Sequence, residues 1–279
     1  MTDNDAKSVE VTREYYNSTD ADNFYYTIWG GEDLHLGIYD YPEEPIFDAS
    51  RRTIDRMASK AEDRLTSDIH ILDIGAGFGG TARYLAKTFG CKVTAQNLSE
   101  VENERDRKMN KEQGLDHLVD VVDGNFEELP FEDASFDVIW SQDAILHSGK
   151  REQVIKEAAR VLKPGGDLIF TDPMQADDCP DGVLDAIYER IHLTSLGSPA
   201  VYREAAKQAG LKEISFEELT PHLTQHYGRV LQETEKNEEE LRKVCSEEYI
   251  ERMKKGLANW VDGGKKGHLC WGIFHFRKE

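Results

Sequence analysis

A short apolar run that ends in glycines, Leu72-Asp73-Ile74-Gly75-Ala76-Gly77-Phe78-Gly79-Gly80, constrains this 279-residue chain more than any other feature. A strand that stops at such a turn and passes straight into a helix is the opening unit of an open α/β sheet. Glycine lets the backbone turn sharply there and lets a ligand lie against it. The sequence that follows keeps the same alternation. Residues 69–74 read as a strand and 79–89 as a helix; 91–97 is a second strand, and Ser99 with Glu102 forms a capping box opening a helix to about residue 113. Residues 118–123 and 136–141 are further strands, 152–162 is a helix stopped by Pro164-Gly165-Gly166, and 167–172 is a fifth strand. Strands alternating with helices predict a parallel sheet with helices on both faces.

The flanks are less regular. Residues 1–45 carry a heavy aromatic load, Tyr15, Tyr16, Tyr25, Tyr26 and Trp29 among them, and aromatics this dense pack onto something. Residues 46–65 read as an amphipathic helix. Beyond Pro173, residues 182–196 look helical, Ser198-Pro199 opens a helix to Gly210, 212–219 suits a strand, 222–261 is long, charged and helical in period, and 268–276 is a final strand. The two late strands would give the sheet an antiparallel end. The expected organisation is an N-terminal arm and helix over 1–66, a core over 67–173, and the rest of the sheet over 174–279 with helical caps at 174–197 and 221–262.

Composition narrows the function classes. Lys and Arg total 34 against 54 Asp and Glu, a formal net charge of −20. That field repels phosphate backbones and anionic membranes, so neither nucleic acid nor membrane is an expected partner. Strong acidity also keeps a protein solvated in concentrated salt. No apolar run approaches the length of a membrane span, and residues 1–10 lack the basic and apolar regions of a signal peptide. Cys91, Cys179, Cys245 and Cys270 are scattered with no Cys-x-x-Cys pair, which argues against a zinc site or a disulfide framework. A cytoplasmic protein without a metal, monomeric or homodimeric, is the expectation.

Gly75-x-Gly77-x-x-Gly80 alone fits a dinucleotide site. A nicotinamide enzyme would also want a carboxylate about 20 residues on for the ribose, where this chain has Gln96-Asn97. Asp73, directly before the glycines, would be poorly placed beside a pyrophosphate and well placed beside a cationic amino-acid group. Downstream stand Asp123-Gly124-Asn125-Phe126, then Leu129-Pro130-Phe131 with Ser135-Phe136-Asp137-Val138-Ile139-Trp140, and Val161-Leu162-Lys163-Pro164-Gly165-Gly166. With Leu72-Asp73-Ile74-Gly75-Ala76-Gly77, this ordered set resembles the class I S-adenosylmethionine methyltransferases over about residues 69–172. The resemblance implies a Rossmann-like α/β fold with a seven-stranded, mostly parallel sheet and an antiparallel end strand. It implies S-adenosylmethionine as cofactor and S-adenosylhomocysteine as product. Asp73, Gly75 and Gly77 would hold the methionine end, Gln96 or Asn97 the ribose through amide groups, and Asn125 and Phe126 the adenine, with Gln142 nearby. The departure is the missing acidic ribose partner.

The fourth strand runs into Ser141-Gln142-Asp143-Ala144-Ile145-Leu146-His147, which sets Asp143 and His147 where open α/β sheets bind ligands. This segment, with Asp172-Pro173-Met174, Trp271-Gly272, Gly263-Gly264-Lys265-Lys266-Gly267 and the arm's Tyr15-Tyr16, Tyr25-Tyr26 and Trp29-Gly30-Gly31, is similar to the sarcosine/dimethylglycine N-methyltransferases over nearly the whole chain. That family makes glycine betaine, a compatible solute. The resemblance implies small amine substrates, sarcosine and dimethylglycine, with His147 as base, Asp143 orienting the ammonium, and Tyr16 paired with His147. Tyr25 would close over the site. The substrate carboxylate needs a donor, for which Arg203 in Tyr202-Arg203 is the first choice and His226 and Tyr227 the second. Rivals are another small acceptor such as glycine, phosphoethanolamine or a phenolic ring, a nicotinamide-dependent oxidoreductase, and a non-catalytic cofactor-binding regulator. A regulator would be expected to have lost Asp143 or His147. A phosphate-bearing acceptor would demand clustered cations in the cap over 221–262, a candidate lid, where Glu dominates.

Overall fold

A computed structural model describes residues 3–29, 31–191 and 193–279; Gly30 of the Trp29-Gly30-Gly31 segment and His192 of the helix expected over 182–196 lie outside them. The arm forms two helices, α1 (Asp3–Tyr16) and α2 (Thr19–Ile28), and the Oγ of Ser18 between them accepts the Ala21 N–H to start the second. Helix α3 (Ile46–Ala58) ends before residue 65, because the chain leaves it at Ser59 for a 3-10 turn, Glu62–Arg64; Ala61 and Leu65 are buried all the same.

The core then alternates as its sequence predicts: β1 (His70–Ile74), α4 (Gly80–Phe89), β2 (Lys92–Asn97), α5 (Glu100–Glu112), β3 (Val119–Asp123), β4 (Phe136–Gln142), α6 (Arg151–Val161) and β5 (Leu162–Thr171). These five strands are parallel. Their central members are buried on both faces, as Ile71, Leu72, Val138, Ile139, Leu168 and Ile169 illustrate. Pro164-Gly165-Gly166 stops α6 but lies inside β5, where the pairing with β4 shifts register. The chain continues through β6 (Met174–Gln175), α7 (Asp185–Arg190), α8 (Pro199–Gln208) and β7 (Leu211–Glu218). The helix expected over 182–196 is thus only six residues long. Ser198 caps α8, with Pro199 in its first turn.

Residues 222–261 are not one helix but three, α9 (Thr220–Lys236), α10 (Glu238–Leu241) and α11 (Glu247–Lys265), broken at Asn237 and restarted where Ser246 Oγ accepts the Tyr249 N–H. Last come β8 (Leu269–Cys270), which pairs with β6, and β9 (Gly272–Lys278). The seven-stranded sheet runs β3-β2-β1-β4-β5-β9-β7. Its antiparallel strand is β9, with β7 outside it at the edge. Among the described residues no helix is long and apolar enough to cross a membrane.

One apolar cluster joins the arm to the lid: Phe24 and Trp29 pack with Tyr227 and Val230 of α9 and with Met253 and Trp260 of α11. Between arm and core, residues 33–39 cross the carboxyl edge of the sheet. They are clamped onto α3, where Thr53 Oγ1 donates to the Leu36 carbonyl at 2.8 Å and accepts the Ile38 N–H at 3.1 Å. Gly37 makes this approach feasible, since a Cβ there would stand 2.6 Å from the Ala49 Cβ and 2.8 Å from its carbonyl carbon. Gly37→Ala is expected to lower stability by about 1–3 kcal/mol, the usual cost of overpacking; an unchanged urea midpoint would contradict this close contact.

Candidate active site

Two adjoining cavities lie over the carboxyl ends of the central strands, and Thr12, Tyr16, Leu34, Asp143 and His147 line both. The first is built on the glycine loop. Gly75 has φ 75°, and a Cβ on it would meet the Ala144 Cβ at 2.3 Å, so the loop is seated tightly against the segment that follows β4. Gly75 and Ala76 both donate backbone N–H groups to the Gln96 carbonyl at the end of β2, at 2.8 and 3.1 Å.

Asp73, at the end of β1, turns its carboxylate into this cavity. Burial pushes its pKa up to about 8, helped by the nearby charges of Asp106 and Asp33, and its Oδ2 has no hydrogen-bond partner. Gln142 lines the same space. Its Oε1 accepts from Thr81 and from the Trp140 indole, both at 2.8 Å, which leaves its buried Nε2 without an acceptor. These two orphaned groups, one acidic and one a donor, fit the ammonium and carboxylate of an amino-acid tail.

Neighbouring side chains on a strand point to opposite faces, and this separates Gln96 from Asn97. Asn97 lines the cavity. The Gln96 side chain is fully buried and does not, which corrects the expectation that it could reach a ribose. An acidic side chain does reach this cavity, from α5 and not from β2. Glu102 lines the cavity, accepts from Asn97 Nδ2 at 2.8 Å, and is pushed by burial to about 7. Half of the expected capping box is therefore present: Ser99 Oγ accepts the Glu102 N–H, while the Glu102 carboxylate turns to Asn97. On the far side, Phe126 faces the cavity beside Asn125, whose Oδ1 accepts the Glu127 N–H at 2.9 Å. The amide nitrogen of Asn125 is the half left for a ligand.

The second cavity lies beneath the lid, among Tyr25, Trp29, Tyr227 and Trp260. Tyr227 stacks on Trp260 with ring centroids 4.8 Å apart. At the wall between the cavities the Tyr16 hydroxyl lies 2.8 Å from His147 Nε2. His147 ends a 3-10 turn held from below: the Leu146 N–H donates to Asp172 Oδ1 at 2.9 Å, and Arg151 donates to the Leu146 carbonyl. Asp143 accepts the Leu36 N–H at 2.7 Å and the Trp271 indole N–H at 2.8 Å. Burial raises its pKa while these donors oppose the shift.

Three of the expected substrate-binding residues fall elsewhere. Arg203 sits on the outer face, paired with Glu213 at 2.8 Å and lying over the Phe216 ring, because α8 packs this side toward the edge of the sheet. Tyr202 is fully buried beneath it and donates to Asp172 Oδ2 at 2.5 Å. His226 is also fully buried. Its Nδ1 accepts the Gly37 N–H at 2.9 Å, and burial pulls its pKa down to about 3, so it is a neutral post for the 33–39 segment. Tyr227 and Tyr25 do line the second cavity. Sequence reasoning missed Glu102, read only as a cap, and His35, a buried histidine of the crossing segment that lines the first cavity.

Comparison with known proteins gives this geometry a family. A model described as a methyltransferase domain matches residues 72–170. The sarcosine/dimethylglycine N-methyltransferase of Halorhodospira halochloris is 59% identical, over 98% of each chain. The chain belongs to the sarcosine/dimethylglycine N-methyltransferases. The enzyme of that name from Aphanothece halophytica is 54% identical over 100% of both chains. A solved structure from Galdieria sulphuraria, assigned as a sarcosine dimethylglycine methyltransferase, superposes with a TM-score of 0.91 at 41% identity, covering 95% of this chain and 99% of that one.

For a methyltransferase of this family, the raised pKa of Asp73 has a measurable consequence. A cation beside Asp73 needs the carboxylate, so cofactor affinity should weaken by up to about tenfold per unit as pH falls below about 8. Calorimetry on the wild type should show that slope and proton release on binding. Asp73→Asn should bind weakly and flatten the slope; wild-type affinity in the variant would remove Asp73 from the cofactor site.

Proposed function

We propose that this enzyme transfers methyl groups from S-adenosylmethionine to the nitrogen of sarcosine and of dimethylglycine, with glycine betaine as the end product. The wall shared by the two cavities carries this reading: Tyr16, Asp143 and His147 face both, so a methyl donor on one side meets an amine on the other. When bound, S-adenosylmethionine supplies an electrophilic sulfonium methyl, and its transfer to nitrogen leaves a neutral thioether. The acids around the donor cavity, Asp73 and Glu102 with Asp33 and Asp106 close behind, favour the charged donor over the neutral product. In this reading Asp73, Gly75 and Gly77 hold the amino-acid tail, and Gln142 Nε2 faces its carboxylate. Asn97 and Glu102 take the ribose hydroxyls, and Asn125 and Phe126 the adenine.

The chain's own task is to align and to move one proton. An amine attacks only after its ammonium proton has left. The Tyr16 hydroxyl, 2.8 Å from His147 Nε2, can take that proton while passing its own to the imidazole, which ends as imidazolium. Asp143 keeps a lone pair on each oxygen beyond the bonds it accepts, and it holds the ammonium at the wall until the proton departs. The faces of Tyr16, Tyr25, Trp29 and Tyr227 suit a methylated cation and exclude water. An enzyme that makes a compatible solute works in salt, and a net charge of −20 keeps its surface hydrated there.

Two outcomes are expected. Purified protein with S-adenosylmethionine should convert dimethylglycine to betaine, followed by mass spectrometry; no methylated product from any glycine derivative would sink the substrate assignment. Tyr16→Phe should lower kcat by about a hundredfold or more and change the pH–rate profile, with cofactor affinity nearly intact. Full activity in that variant would rule out the Tyr16–His147 relay.

A further inference from the structure

Arg203, Tyr202 and His226 do not face the acceptor cavity, so the carboxylate of an amino-acid substrate needs another partner. Helix α11 provides one. Its buried positions Met253, Gly256 and Trp260 line the cavity, and on the border of that stripe Arg252, Lys255 and Asn259 line it too. Residues 252, 255 or 256, and 259 fall on one face over consecutive turns. Glycine in mid-helix is unfavourable for the helix itself, yet Gly256 stands at one of the positions of α11 that line the cavity.

Several cations near this face are held in ion pairs. Lys254 pairs with Glu238 and Glu251, Lys266 with Asp262, and Arg242 with Glu238 and Glu247. Among the described residues Arg252 and Lys255 have no ion-pair partner, in a chain with 54 acidic residues. Glu189 reaches the same cavity from α7 and pairs with neither. The Arg252 guanidinium lies 5.2 Å from the centroid of the Tyr249 ring, a contact that steadies its position. Asp143 stands at the opposite wall, where a second carboxylate would be repelled.

We infer that the α11 face formed by Arg252 and Lys255, with Asn259 one turn on, binds the substrate carboxylate and so orients the amine toward Tyr16 and His147. This rests on the amino-acid substrate proposed above. It makes the cavity a sieve for zwitterions: the ammonium end seeks Asp143 and the aromatic faces, the carboxylate end seeks α11. Sarcosine and dimethylglycine share that polarity, and a neutral amine of the same size lacks it.

The test compares dimethylglycine with its neutral amide, dimethylglycinamide, in the wild type and in the double variant Arg252→Gln, Lys255→Gln. Both residues are exposed, so the fold should tolerate the change. The double variant should raise KM for dimethylglycine about ten- to a hundredfold with little change in kcat. It should leave the kcat/KM for the amide and the S-adenosylmethionine affinity as they are in the wild type. A KM for dimethylglycine within about twofold of wild type in the double variant would overturn the assignment. Wild-type protein that methylates no glycine derivative would defeat the substrate reading itself, and this assignment with it.

Discussion

The Asp143 carboxylate receives hydrogen bonds from two distant parts of the chain, the Leu36 N–H behind the N-terminal arm and the Trp271 indole just before β9. Asp143 sits immediately after β4 with φ 52°, a conformation that a non-glycine residue holds only when its surroundings fix it. A buried carboxylate is costly without donors, and these two offset that cost. The same knot closes the site. Residues 33–39 become a roof over the carboxyl edge of the sheet, held further by His226 at Gly37 and by Thr53 at Leu36. Two cavities meet under that roof instead of one open cleft.

The arm depends on the same arrangement. Asn17, between α1 and α2, accepts from Ser99 and donates to Glu100 at the start of α5, and Asp22 pairs with Arg105. On the other side Asp20 accepts from Ser246 and Tyr15 meets Tyr249, both on the lid. Lifting the arm breaks contacts with the cofactor half and the acceptor half at once. Tyr16 rides on this strap, so its contact with His147 depends on the arm being seated on both sides.

Much of this was legible in the sequence because it is local. The alternation from residue 69 onward, the caps at Ser99 and Ser198, and the turn at Gly75 follow from short-range rules, and the core has the order they predict. Asp73, Asn97, Phe126, Gln142, Asp143 and His147 all line the first cavity, since each ends a strand or follows one. Tyr16 came from the family resemblance alone, as no local rule ties residue 16 to residue 147. The misses are matters of which way a helix faces. Arg203 and Tyr202 are on a helix, as expected, but α8 turns them to the edge and the core. Glu102 fits a capping rule, and only burial sends its carboxylate to Asn97. Arg252 and Lys255 belong to a charged stretch whose periodicity marks its apolar face and says nothing of what its border meets.

Everything proposed for this site requires methyl transfer across the wall between the two cavities. A crystal structure with S-adenosylhomocysteine and dimethylglycine tests it most directly. The thioether sulfur should lie on the Gly75–Gly77 side and the amine in the aromatic cavity, with both ligands touching the wall formed by Tyr16, Asp143 and His147. Dimethylglycine bound away from that wall, or an amine separated from the sulfur by the closed Tyr16–His147 contact, would contradict it.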